Sequence, residues 1–345
     1  MQDAVETFFQ NSVTEVVFSN SLFPGWLHTT LDDARCSIGV KFRAVFDLLH
    51  ANGSDAAFRQ NVYEQVVNTN HIAEICNGDE GVPAGVIDWS TPLGASIKVL
   101  MLYLYEDVLD FACFRRNGGV VKARHEFYKE FVKKNKYVCP FCGIGKFKNA
   151  LGPRREDLDH YLHKSDYPLA AANMRNLIPT CGTCNQDYKK TKDILQDGSA
   201  FYPYSDTPDV LVTVDCIRYP GDDLDDPGEW QVDISLVDPD ISLAPKMAAW
   251  ERVYSVSIRL ANEVSENFDE WVEDLFVEFT GGDEIDHGHF NLLLEQERDN
   301  ENRAVLRRMK PGAIVRAAFF DFMLTRAEDF FVESFRMRAN GRVAA

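Results

Sequence analysis

Over the first third of the chain, apolar residues recur three and four positions apart. LDDARCSIGVKFRAVFDLLHA (31–51) and AAFRQNVYEQVVNTNHIAEIC (56–76) carry this spacing, so each predicts a helix with one buried face. GASIKVLMLYLYEDVLDFACF (94–114) is apolar almost all round, which predicts a helix buried on every side. NGDEGVPAG (77–85) and RRNGG (115–119) read as breaks, and KARHEFYKEFVKKNK (122–136) as a basic amphipathic helix. Beyond residue 200 the period changes. VLVTVDCIRYP (210–220) and EWQVDISLVD (229–238) alternate apolar with polar residues around the acidic GDDLDDPG (221–228), predicting two antiparallel strands. From about residue 244 the helical spacing returns in PKMAAWERVYSVSIRLANEVSENF (245–268), FDEWVEDLFVEF (268–279) and AIVRAAFFDFMLTRAEDFFVESFRMR (313–338).

The 345 residues bound the answer at roughly two domains or one large one. No apolar run approaches the ~18 residues of a membrane span, and the first residues lack a basic start and an apolar stretch, so a soluble cytoplasmic protein is expected. Net charge is −18, which argues against a nucleic-acid binder. That charge is uneven: residues 115–193 hold 17 Lys/Arg against 8 Asp/Glu, a basic island of +9 in an otherwise acidic chain.

Four of the eight cysteines, Cys36, Cys76, Cys113 and Cys216, are scattered through apolar stretches and read as small core residues. The other four come in pairs, Cys139/Cys142 in CPFC and Cys181/Cys184 in CGTC. Each pair brings two thiolates to one ion, and the four complete a tetrahedral structural Zn²⁺ shell. A redox site would use one pair and leave the other unexplained.

Between and after the pairs runs DLDHYLHKSDYPLAAANMRNLIPTCGTCNQDYKKTK (157–192). C-x-x-C, Asp-His, Asn-Leu, C-x-x-C-Asn and a trailing lysine cluster occur in that order over about 55 residues, and this order resembles the HNH nuclease family of ββα-metal fold. The resemblance implies a two-stranded hairpin carrying Asp159 and His160, followed by a helix carrying Asn185. It implies His160 as general base, Asp159 and Asn185 as ligands of a catalytic Mg²⁺ or Mn²⁺, and Asn176 as the tether of the hairpin loop. Lys164, Lys189, Lys190 and Lys192 are expected to meet phosphates. The chemistry suits these residue types. Imidazole titrates near neutral pH, and carboxylate and amide oxygens are hard ligands. His163 stands where many relatives have proline, and reads as a tolerated substitution, an extra phosphate contact or a third metal ligand. A second Asp-His pair, Asp286–His287 with His289, is followed by no cysteine pair and reads as a loop; His28, His50, His71 and His125 read as ordinary helix or loop residues.

The expected architecture is α+β and mostly helical. A helical region (1–136) comes first, then a central zinc-stabilised HNH module (137–197), then a mostly helical C-terminal region (198–345) with a small β-hairpin. The expected function is metal-dependent hydrolysis of DNA, most readily duplex DNA. RNA cleavage and a non-catalytic zinc-stabilised binding module remain as alternatives. The flanks carry a weaker resemblance to HNH components of bacterial anti-phage systems, which implies an ATPase or other defence partner, as in Septu-type pairs. The helical flanks could also form a homo-oligomer, or be plain core.

Overall fold

The computed structural model describes residues 1–33, 36–51, 54–78, 86–111, 122–148, 156–204, 212–219, 228–236, 241–277, 286–306, 310–327 and 329–343. The chain is α+β and mostly helical, and the described residues hold two separate antiparallel two-stranded pairs. Cys113, the breaks at 79–85 and 115–119 and most of the acidic 221–228 segment lie outside the described residues.

The N-terminal helices are α1 (Gln2–Asn11), the short α2 (His28–Leu31), α3 (Ile38–Leu49), α4 (Ala56–Thr69), α5 (Ile72–Asn77) and α6 (Pro92–Glu106). In α3 the buried positions are Ile38, Phe42, Val45, Phe46 and Leu49, the stripe that the spacing predicts. Phe8, Phe23 and Phe42 meet ring to ring with centroids 4.8–5.3 Å apart and nucleate this core. Thr91 caps α6 by accepting from Gly94 N–H, and Pro92 supplies the preset first turn. Gly94 has no room for a side chain: a Cβ would lie 2.3 Å from Asp88 O. Contrary to the all-round burial expected of α6, Val99 is 53% exposed. The helix packs α3 and the 168–170 turn with one face and leaves the other to solvent.

Helix α7 (Ala123–Asn135) leads into the cysteine region and ends at Lys136, whose φ of 58° breaks the helical path. Strand β1 (Leu158–His160) pairs with β2 (Leu177–Pro179) in antiparallel register, His160 opposite Leu177. The expected strand pair past residue 210 is β3 (Val212–Tyr219) with β4 (Glu229–Leu236), Cys216 opposite Val232. Five helices follow: α8 (Ala244–Tyr254), α9 (Val256–Val277), α10 (His287–Leu306), α11 (Ala313–Thr325) and α12 (Asp329–Val343). Trp230 on β4 packs Phe268 of α9, Phe319 and Phe322 of α11 and Phe331 of α12.

One apolar cluster joins the cysteine region to α8–α12. Phe141 stacks between Tyr161 and Tyr254, its ring centroid 5.8 and 4.6 Å from theirs. Residues 137–197 thus share their interior with the helices that follow. Among the described residues no helix is long and apolar enough to cross a membrane.

Candidate metal centre and active site

Cys139, Cys142, Cys181 and Cys184 are all buried, and their sulfurs lie within 4.8 Å of one another. Two of the separations, Cys139–Cys184 and Cys142–Cys181, are 3.9 Å. Tetrahedral Zn–S bonds of about 2.3 Å demand sulfurs about 3.8 Å apart, so the set fits Zn²⁺. The backbone builds this cage locally. Gly143 takes φ 69°, Cys139 N–H donates to Gly145 O, and Gly145 N–H donates to Cys142 Sγ at 3.2 Å. Hydrogen bonds from the neighbouring sulfurs pull the Cys142 thiol well below its usual range, while burial pushes Cys139 up. The four sulfurs are one electrostatic unit.

Between the two cysteine pairs, β1 presents its side chains alternately. Leu158 and His160 point one way, against Tyr105 of α6; Asp159 and Tyr161 point the other. His160 is 6% exposed. Its Nε2 lies 3.0 Å from Ala171 O, and a carbonyl can only accept, so Nε2 carries the proton and Nδ1 keeps the lone pair. Burial is the main cause that holds this imidazole down at about pKa 4. The Tyr105 ring meets it edge-on at 4.3 Å.

Asn176 is fully buried and spends its whole amide on the hairpin loop. It accepts from Leu162 N–H at 2.7 Å and donates to Leu162 O and Ala170 O. Since Ala171 O holds His160, the Asn176 amide fixes the peptide segment that orients the ring.

On the other side of β1, burial pushes the Asp159 carboxyl up, opposed by Lys189. Lys189 Nζ lies 3.0 Å from Asp159 Oδ2 and donates to His160 O at 2.7 Å. This corrects the expectation that Lys189 meets phosphate: it is completely buried and committed within the protein. The expected helix carrying Asn185 is also different in kind. Residues Thr183–Lys189 form a π-helix, with Lys190 N–H donating to Asn185 O. A wider turn lets Cys184 face the sulfur cage while Lys189 still reaches Asp159, an adjustment typical of functional segments.

The other expected phosphate contacts are partly spent. Lys164 pairs with Glu106 at 3.1 Å, and Lys192 donates to Arg252 O and Val253 O. Lys190 is exposed. His163 Nδ1 lies 3.5 Å from Asp166 Oδ2. In the second Asp-His pair, Asp286 accepts from His289 N–H at the start of α10, and His287 lies 3.2 Å from Glu333. His28 and His50 bond to Phe23 O and Ser12 O. Cys76 and Cys216 are fully buried core residues. Sequence reasoning missed Tyr105 of α6 and Arg259 of α9, whose Nη1 lies 3.1 Å from Cys184 Sγ; both come from distant helices and carry no local motif.

Among curated proteins, the chain is similar to the Septu protein PtuB of Bacillus thuringiensis, 26% identical over 196 residues, or 56% of this chain and 71% of that protein. It is also 30% identical to protein ea31 of Escherichia phage lambda over 116 residues, 33% of this chain and 34% of ea31, so it spans about a third of the latter. No family model and no solved structure matches.

Proposed function

We propose that the chain is a zinc-stabilised, HNH-type phosphodiesterase acting on DNA in anti-phage defence. The observation that carries the chemistry is His160. Its ring is neutral, fixed in one tautomer by Ala171 O, and backed by the Asn176-tethered loop. Nδ1 is then the acceptor for a proton from the attacking water. Lys189 holds the His160 carbonyl and Asp159 together, which fixes β1 against the π-helix. The likeness to a Septu protein supports the defence role, and an ATPase partner is the corresponding proposal for its assembly.

A catalytic Mg²⁺ or Mn²⁺ on Asp159 and Asn185 fits less well. Asp159 Oδ2 already holds an ammonium at 3.0 Å, and a divalent ion at that oxygen would have to displace it. Phosphate contact falls to Lys190 and to exposed lysines around α7 and the first cysteine pair, Lys129, Lys133, Lys136 and Lys146. These account for the basic island better than the committed Lys164, Lys189 and Lys192.

One observation favours a second reading, a non-catalytic zinc-stabilised binding module: His160 is nearly closed off, and Asp159 is neutralised from inside. Purified full-length protein incubated with plasmid DNA and with a matched RNA, in Mg²⁺, Mn²⁺ or chelator, separates the readings. DNA cutting lost in His160→Ala at unchanged zinc content supports the nuclease. Binding of DNA with no cutting under any condition leaves the module. Plaque counts on cells carrying wild type or His160→Ala, with the neighbouring genes in place, test the defence role.

A further inference from the structure

A closed shell of four thiolates around Zn²⁺ carries a formal charge of −2. Here it would be buried among Phe141, Tyr161 and Tyr254. Burying net charge away from water is costly unless an opposite charge is supplied. The structure supplies one from far along the sequence. Arg259, on the first turn of α9, is 7% exposed, and its Nη1 donates to Cys184 Sγ at 3.1 Å. The same nitrogen lies 3.4 Å from Tyr254 O, and the guanidinium sits over the Tyr188 ring, 4.5 Å from its centroid. A weakly hydrated, planar cation is suited to this place, where it bonds sulfur at its edge and stacks on an aromatic ring with its face.

Arg259 does not act alone at this boundary. Trp250 of α8 donates to Phe141 O at 2.7 Å, and Gly312 N–H donates to Gly143 O at 2.8 Å. Both acceptors belong to the loop of the first cysteine pair. Among the described residues, Trp250, Arg259 and Gly312 therefore grip the cage from the C-terminal region, and of these three only Arg259 brings a charge.

We infer that Arg259 is the counter-cation of the four-sulfur centre, so that the C-terminal helices govern how firmly the chain keeps its metal. Through Tyr188 and Cys184 the same guanidinium also braces the π-helix that carries Asn185 and Lys189. Loss of the cation leaves the thiolates under-compensated, and they release zinc faster. This rests on the zinc assignment above.

The test compares full-length wild type with Arg259→Met, Arg259→Gln and Arg259→Lys, for zinc per chain as purified and for the rate of zinc transfer to an excess of chromogenic chelator. The expected result is release about 10- to 100-fold faster from the methionine and glutamine variants, the usual effect of removing an outer-shell partner, with the lysine variant, which keeps the charge but not the planar stack, between them and wild type. Circular dichroism is expected to be unchanged. Equal release rates from all four proteins overturn the inference, and so does a lysine variant as leaky as the methionine one. If Arg259→Met does not purify folded, the glutamine and lysine variants carry the comparison alone. Wild type that purifies without zinc and takes up none is a different failure, because it removes the metal centre itself.

Discussion

Lys189 and Asp159 meet at 3.0 Å inside the protein, the lysine side chain fully buried and the aspartate side chain 10% exposed. Neither can be removed alone without stranding the other. Lys189→Met is expected to cost roughly 3–5 kcal/mol in urea unfolding, the usual penalty for breaking a buried pair. Adding Asp159→Asn to it should recover much of that loss, because no uncompensated charge then remains. A double variant no more stable than Lys189→Met would show that the lysine acts through its bond to His160 O instead.

The depressed His160 pKa links stability to pH. The folded value is about 4 against 6.5 for the free imidazole, with burial the first cause. Between these values the unfolded chain binds the proton and the folded one does not. The stabilisation is complete above pH 6.5 and is lost as pH falls toward 4. It amounts to about 3 kcal/mol. His160→Gln should remove this slope, so the gap in unfolding free energy between wild type and variant should shrink as pH drops from 7 to 4. A constant gap would contradict the burial of a neutral ring.

Tyr105 covers that ring. Tyr105→Ala is expected to speed acylation of His160 by diethyl pyrocarbonate several-fold, read by peptide mass spectrometry, and to move the imidazole pKa back toward 6.5. His50, which is bonded to Ser12 O, serves as the internal control. An unchanged rate at His160 would mean that another group closes the site.

Asn176→Ala strands Leu162 N–H and Leu162 O in the interior, while Ala170 O keeps the bond from Asn173 N–H. Each stranded buried group costs about 1–3 kcal/mol, so a loss of several kcal/mol is expected, with weakened protection of the Leu162 amide in hydrogen exchange. Full protection at that amide would remove the tether from the account.

Gly145→Ala tests the cage itself. The added carbon would lie 2.6 Å from Cys181 Sγ and 2.7 Å from Cys181 Cβ, so a sulfur must move. The expected result is zinc below one per chain or markedly faster loss to chelator, measured against Gly182→Ala, where nothing lies within 4 Å.

The sequence made the helical stripes and the strand pair legible because each depends on a local period, as with Ile38, Phe42, Val45 and Leu49 in α3. The four cysteines were legible for a similar reason: two short spacings suffice to suggest one ion. What stayed hidden depends on distance along the chain. Nothing near Lys189 signals that it turns inward, since its direction is set by a π-helical turn and by Asp159, thirty positions earlier in sequence. Arg259 and Tyr105 reach the site only after α9 and α6 have packed, and no spacing rule connects them to it. The open face of α6 likewise follows from which neighbours it meets, which its composition does not record.

The Phe141 ring, held between Tyr161 and Tyr254, has a practical consequence for anyone dissecting this protein. A fragment cut at the motif boundaries, 137 to 197, would lose Tyr254, Trp250 and Arg259 together. It would expose aromatic surface to water and leave the sulfur cage bare on one flank. Excised peptides of this kind should aggregate or need detergent, so the smallest workable unit reaches at least through α9 and, because Gly312 also holds the loop, into α11.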